Sequence, residues 1–166
     1  MISAEILKRL NTTEDQLINH LDEDVREIFS SMIGVDVAQS QITVMETKFK
    51  DSITAMVGFA GSYNGTISIN AQQKVAIAIV SHMLGMEITE CDDEVRDAIG
   101  EIANMIGGSF KHHFVNDGHE VRLSTPSVIS GNEYTITSGS VQDTLALLFE
   151  FGEEHFVVSG YLEVGD

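Results

Sequence analysis

The chain has 166 residues, 43% of them hydrophobic, which is enough for one core of ordinary size and gives no reason for a second domain. Its 26 acidic and 9 basic residues give a formal net charge of −17, which argues against nucleic acid and anionic membranes, because both are bound through lysine and arginine. A single cysteine, Cys91, excludes an intrachain disulfide and a zinc site of several thiolates, and the longest apolar run, residues 75–80, is far short of a membrane helix.

The first residues, MISAEILKRLNTTED, bring charges in too early for a secretory signal, so the cytoplasm is the expected compartment. Residues 2–10 read as one or two amphipathic turns, an extension (residues 1–14) outside a single domain at 15–166. Residues 12–33 read as helix: Thr13 and Gln16 have capping-box spacing, Leu17, Leu21, Val25, Ile28, Phe29 and Met32 recur at helical intervals, and Gly34 is a natural stop. Strand texture follows at 42–48, 53–63 and 66–70, with Asn64-Gly65 as the expected hairpin turn.

Residues 71–84 return to helix, ended by Gly85, and Asp92 or Asp93 is placed to cap a further helix reaching about Val115. Strands are expected at 120–123, 128–129, 134–138, 144–151 and 155–163, with Gly131-Asn132 and Gly152-Glu153 as turns. Runs of strands separated by helices give an α+β fold, with helices on one face of a largely antiparallel β-sheet.

The segment EVRDAIGEIANMIGGSFK, residues 94–111, is the most informative. At about 100° per residue, Val95, Ile99, Ile102, Ile106 and Phe110 form one stripe, and Asp97, Glu101 and Asn104 fall opposite it. Gly100, Gly107 and Gly108 flank the polar face, each costing about 0.5–1 kcal/mol of helix stability relative to alanine. They suit close approach by a large partner, although Gly107-Gly108 also suits a bend or helix end. Aligning Met32-Ile33-Gly34 with Met105-Ile106-Gly107 places Asp24 on Asp97, Ile28 on Glu101 and Ser31 on Asn104, as if the chain were a duplication with one functional copy.

These residues resemble the CheC/CheX/FliY family of phosphatases that act on phosphorylated response-regulator receiver domains. The family pattern is Asp or Ser, Glu four residues on, Asn three further, and a proline some twenty residues downstream; here it reads Asp97, Glu101, Asn104 and Pro126, the last being the only proline. The resemblance covers roughly residues 15–164, and a single functional copy looks most like the CheX branch. It implies a pseudo-two-fold duplicated CheC/CheX-like fold, a homodimer joined through its sheets, and a CheY-like receiver as partner in chemotaxis or related two-component signalling. It also implies that this chain binds no cofactor of its own, the Mg2+ ion belonging to the receiver.

The chemistry suits the residues. Phosphoryl transfer from an acyl phosphate passes through a loose transition state, so water placement matters more than its deprotonation. A carboxamide accepts a hydrogen bond from water while holding its oxygen in line, which makes Asn104 the expected water-orienting residue. Glu101, one turn away on the same face, is implied by the resemblance to pair with the receiver's lysine, with Asp97, Gly100 and Gly108 in the partner-binding surface. A non-catalytic module that uses the same helix to bind receivers or motor-switch components is the alternative. An oligomerisation domain is a third reading, favoured if residues 144–151 lie on a sheet edge.

Other features read as background. His112, His113 and His119, near Asp117 and Glu120, lack the i, i+4 spacing of a helical zinc site and are expected to face solvent. No Gly-x-Ser-x-Gly elbow or Walker-type phosphate loop occurs. The seven methionines read as core filler.

Overall fold

The computed structural model describes residues 1–114, 120–137 and 143–165. Helices α1 (Ala4–Leu10) and α2 (Glu14–Ile28) come first, and α2 runs into a π-helical turn at Phe29–Ile33. Thr13 caps α2 with the complete capping box, its hydroxyl accepting from the Gln16 N–H while Gln16 Oε1 accepts from the Thr13 N–H. Gly34 ends the turn in the left-handed region, φ 82°, and its N–H donates to the Phe29 carbonyl. The wider π turn explains one departure from the expected stripe: Phe29 and Ile33 stay buried while Met32 is turned out, 51% exposed.

Three strands follow, β1 (Ala38–Ile42), β2 (Lys48–Gly61) and β3 (Tyr63–Gln72), then α3 (Gln73–Leu84) and α4 (Asp93–Lys111), then β4 (Val121–Leu123), β5 (Ser127–Thr135), β6 (Thr144–Phe151) and β7 (Glu154–Val164). Gly85 closes α3 with φ 65°, and Asp92 caps α4 by accepting from the Val95 N–H at 3.2 Å. Helix α4 ends at Lys111; Val115, Asp117, His119 and Ser138, which entered the sequence reading, lie outside the described residues.

Two turn expectations give way to strand. The chain reverses at Gly61-Ser62, not at Asn64-Gly65: Asn64 Oδ1 accepts from the Gly61 N–H, and Gly65 already pairs with Phe59 and Leu162. Gly65 is needed by a distant neighbour, because a Cβ there would fall 2.0 Å from the Tyr161 carbonyl oxygen. Gly131-Asn132 likewise lies inside β5.

All the strand pairs of the sheet are antiparallel, in the order β1-β6-β7-β3-β2, with β4 and β5 both pairing with β2. Reading α2-β1-β2-β3 and α4-β5-β6-β7 as two halves, β3 and β7 lie side by side at the centre, and the first strand of each half pairs with the other half's hairpin: β1 with β6, β5 with β2. This is the arrangement of a pseudo-two-fold duplication. Strand β6 lies between β1 and β7, so it is not the free edge that the oligomerisation reading required.

Alternation along the strands sends Ile53, Ala55, Val57, Ile67, Ile69, Leu147, Phe149 and Val158 into one core with Leu21 and Val25 of α2, Ile79 of α3, and Ile99 and Ile106 of α4. Residues 1–14 belong to the same unit: Ile2 and Ile6 are 4% and 3% exposed within that core, and Ile2 N–H donates to Glu14. The expected separate extension is therefore packed against the domain, with Ile2 buried just ahead of the Ser3 cap and Ile6 on the inner face of α1.

Candidate functional site

Helix α4 crosses the sheet with Val95, Ile99, Ile102, Ile106 and Phe110 buried, leaving Asp97 and Glu101 exposed and Asn104 half-buried on the outward face. Its first turn is fixed by the Asp92 cap and by Arg96, whose guanidinium donates to the Cys91 carbonyl at 3.1 Å and to Ser130 of β5 at 3.4 Å.

The glycines of α4 do not all serve the surface. Gly100 and Gly107 are buried under the chain itself: a Cβ on Gly100 would lie 3.2 Å from Val128 Cγ2 and 3.5 Å from Pro126 Cβ, and one on Gly107 would lie 2.6 Å from Val57 Cγ2. The expectation that Gly100 contacts a partner is thus corrected; it lets β5 and the preceding segment approach the helix. Gly108 stays half-exposed, with Leu123 at contact distance. Pro126, distant in sequence from α4, is brought beside the residue preceding Glu101, so the four motif positions share one region.

The matching positions in α2 are built differently. Ile28, at the place of Glu101, is 7% exposed in the core, and Ser31, at the place of Asn104, donates its hydroxyl from the π turn back to the Glu27 carbonyl of α2. Asp24, at the place of Asp97, is turned toward the turn that follows α4, where His113 Nε2 lies 3.1 Å from its Oδ2 and the His20 ring stacks on His113 at 4.0 Å. Burial pushes the Asp24 carboxyl up from 3.8 to about 6 against the opposing pull of His20, and burial holds the His113 imidazole below 6.5. His113 is therefore an interhelical residue and not the solvent-facing one its spacing suggested. Among the described residues no group of three or more His, Cys, Asp or Glu side chains is arranged to hold a metal ion.

Comparison with known proteins agrees with this geometry. Residues 53–150 match the family model described as chemotaxis phosphatase CheX. The chain belongs to the CheX family. A curated CheX-family relative, the CheY-P phosphatase CheX of Thermotoga maritima, is 28% identical over 143 residues, covering 85% of this chain and 92% of that protein. Two solved structures are similar: CheX of Desulfovibrio desulfuricans (30% identity, TM-score 0.76, 89% of this chain and 99% of that one) and a putative chemotaxis protein of Desulfovibrio vulgaris Hildenborough (29%, 0.76, 89% and 97%). The family match begins inside β2, so it includes α4 and leaves out α2.

Sequence reasoning missed the Asp24–His113–His20 contact, for which no local pattern exists, and read the methionines correctly only in part: Met83 and Met105 pack half-buried against the core, while Met1, Met32 and Met86 are exposed.

Proposed function

We propose that this CheX-family chain hydrolyses the aspartyl phosphate of a CheY-like receiver domain by presenting the outward face of α4 to the receiver's active site. The observation that carries the reading is the contrast between the exposed Glu101 with half-exposed Asn104 on α4 and the buried Ile28 on α2. Family membership and the Thermotoga relative named as a CheY-P phosphatase support the same activity.

Asn104 holds the attacking water by accepting one of its hydrogen bonds and keeping its oxygen in line with phosphorus; the leaving group is the receiver's aspartate carboxylate. Glu101 forms a charge-assisted hydrogen bond to the receiver's active-site lysine, a contact of about 1.5–3 kcal/mol that sets the register of docking. The Mg2+ ion of the reaction belongs to the receiver. Asp97 and Gly108 form the rim of the contact.

The proposal extends to a homodimer joined through the sheets. Its support is the middle of the sheet face opposite the helices, where Met56, Ser68, Leu148, Val157, Ser159 and Tyr161 alternate away from the core without formal charge in a chain of net charge −17, Glu150 and Glu163 lying toward the strand ends. Light scattering at micromolar concentration tests this, with a monomer mass as the contrary result. The cytoplasm is the proposed site of action, and no helix of the described residues is long and apolar enough to cross a membrane.

The activity is tested by following phosphoryl-receiver decay with and without the protein. Acceleration that Asn104→Ala abolishes in a folded variant is the expected result. Binding without acceleration would establish instead a module that recognises receivers non-catalytically through the same helix.

A further inference from the structure

Strands β4 and β5 run along the same edge of β2, and the junction between them is bulged. Leu123 pairs with Phe59 and Ser127 with Met56, so three residues, Ser124, Thr125 and Pro126, stand opposite two, Val57 and Gly58. Such an insertion bends an edge strand and re-aims its side chains. Ser124 closes the gap: its N–H donates to the Gly58 carbonyl at 2.9 Å, its Oγ accepts from the Gly58 N–H at 2.8 Å, and its hydroxyl donates to the Thr125 carbonyl at 3.1 Å. The last bond fixes the peptide that leads into Pro126, and a residue preceding proline is confined to extended conformations.

The consequence falls on α4. Pro126, held by this clasp, and Val128 form the seat on which the bare backbone of Gly100 rests, and Val57, next to Gly58, forms the seat of Gly107. Gly100 and Gly107 are four residues before and three after Asn104, one helical turn to either side of it. The height and rotation of the helix at Asn104 are therefore set by two contacts, and both lead to the Val57-Gly58 stretch of β2, one of them through Ser124 and Pro126.

We infer that the bulge at residues 124–126 is a positioning device for Asn104, with Ser124 and Pro126 as positioning residues that act through the Gly100 seat. This rests on the phosphatase reading above. It gives the proline of the motif a physical role: lacking an N–H and fixed in φ, it presents a rigid ring edge to a helix that must stand at one height. Water alignment is sensitive to such placement, since an ångström of displacement costs up to about a hundredfold in rate.

The test is the split between kcat and KM for phosphate loss from a receiver phosphorylated with acetyl phosphate, measured on the full chain. Ser124→Ala is expected to lower kcat about tenfold with KM within about twofold, and Ser124→Thr, which keeps the hydroxyl, to restore most of it. Gly58→Ala, whose Cβ would lie 3.3 Å from Ser124 Oγ, strains the same clasp without removing the hydroxyl and should lower kcat in the same way; it decides the matter if Ser124→Ala does not fold. Full kcat in folded clasp variants overturns the inference, as does a loss confined to KM, which would make the bulge a partner contact. If the wild-type chain leaves receiver decay unchanged, the phosphatase reading fails and takes this inference with it. If the wild type is active and Asn104-dependent while the clasp variants keep kcat, only the inference fails.

Discussion

Helices α2 and α4 occupy matching places in two halves of one sheet, yet they spend the same face in opposite ways. On α2 the position of Glu101 is Ile28, sunk in the core, and the position of Asp97 is Asp24, turned inward to His113. On α4 the face stays in water, and the helix is held from its flank by glycine seats. The duplicated scaffold supplies the packing twice, and the outward polar face assigned to the proposed chemistry occurs once. A helix that carries a site has to be braced by something other than that site's face, which is why Gly100 and Gly107 matter.

The comparison can be broken most forcefully by giving α2 the missing carboxylate. Ile28→Glu is expected to destabilise the fold by about 3–5 kcal/mol, because an unpaired charge enters an apolar core, and to create no second site; urea unfolding measures it, and a loss under about 1 kcal/mol would show that this face of α2 can open. Gly107→Ala is expected to cost about 1–3 kcal/mol, since the new Cβ meets Val57 Cγ2 at 2.6 Å and overpacking outweighs the gain in helix propensity. A stabilised variant by thermal melting would mean that α4 is not tightly seated there.

A smaller effect concerns the inward-turned Asp24. Its folded pKa of about 6 lies above the unfolded 3.8, so the folded state holds the proton more tightly. Its contribution is favourable below about pH 4 and is lost as pH rises through 6. His113, with its lowered value, works in the opposite sense near its ordinary range, as the unfolded chain binds more protons there. Asp24→Asn should therefore be more stabilising, relative to wild type, at pH 7 than at pH 4.5, by about 1–2 kcal/mol allowing for partial exposure. Equal differences at both pH values would rule out the raised pKa. The smallest effect is on encounter: with a net charge of −17 facing an acidic receiver site, association should quicken up to about twofold between 50 and 200 mM salt. Stopped-flow binding reads this, and slowing with salt would mean that attraction dominates.

Local signals in the sequence were reliable where the physics is local. The Thr13–Gln16 capping box, the stops at Gly34 and Gly85 and the Asp92 cap all formed, because each satisfies backbone groups within one turn. The outward placement of Asp97, Glu101 and Asn104 followed from helical periodicity. Residues whose reason lies elsewhere in the chain were misread: Gly65 looked like a turn but serves the approach of β7, Gly100 looked like a docking surface but seats Pro126, and Met32 looked apolar and inward until the π turn rotated it out. Residues 2–10 looked like a separate extension because the core partners of Ile2 and Ile6, such as Leu162, lie at the other end of the chain.

The contrast between the two helices is tested most directly by one assay of phosphoryl-receiver decay run with wild type, Asn104→Ala and Ser31→Ala, each verified as folded. The expected result is a loss of about a hundredfold in catalysed decay for Asn104→Ala and none for Ser31→Ala. Equal losses at both positions, or full activity in Asn104→Ala, would contradict the division of roles between α2 and α4.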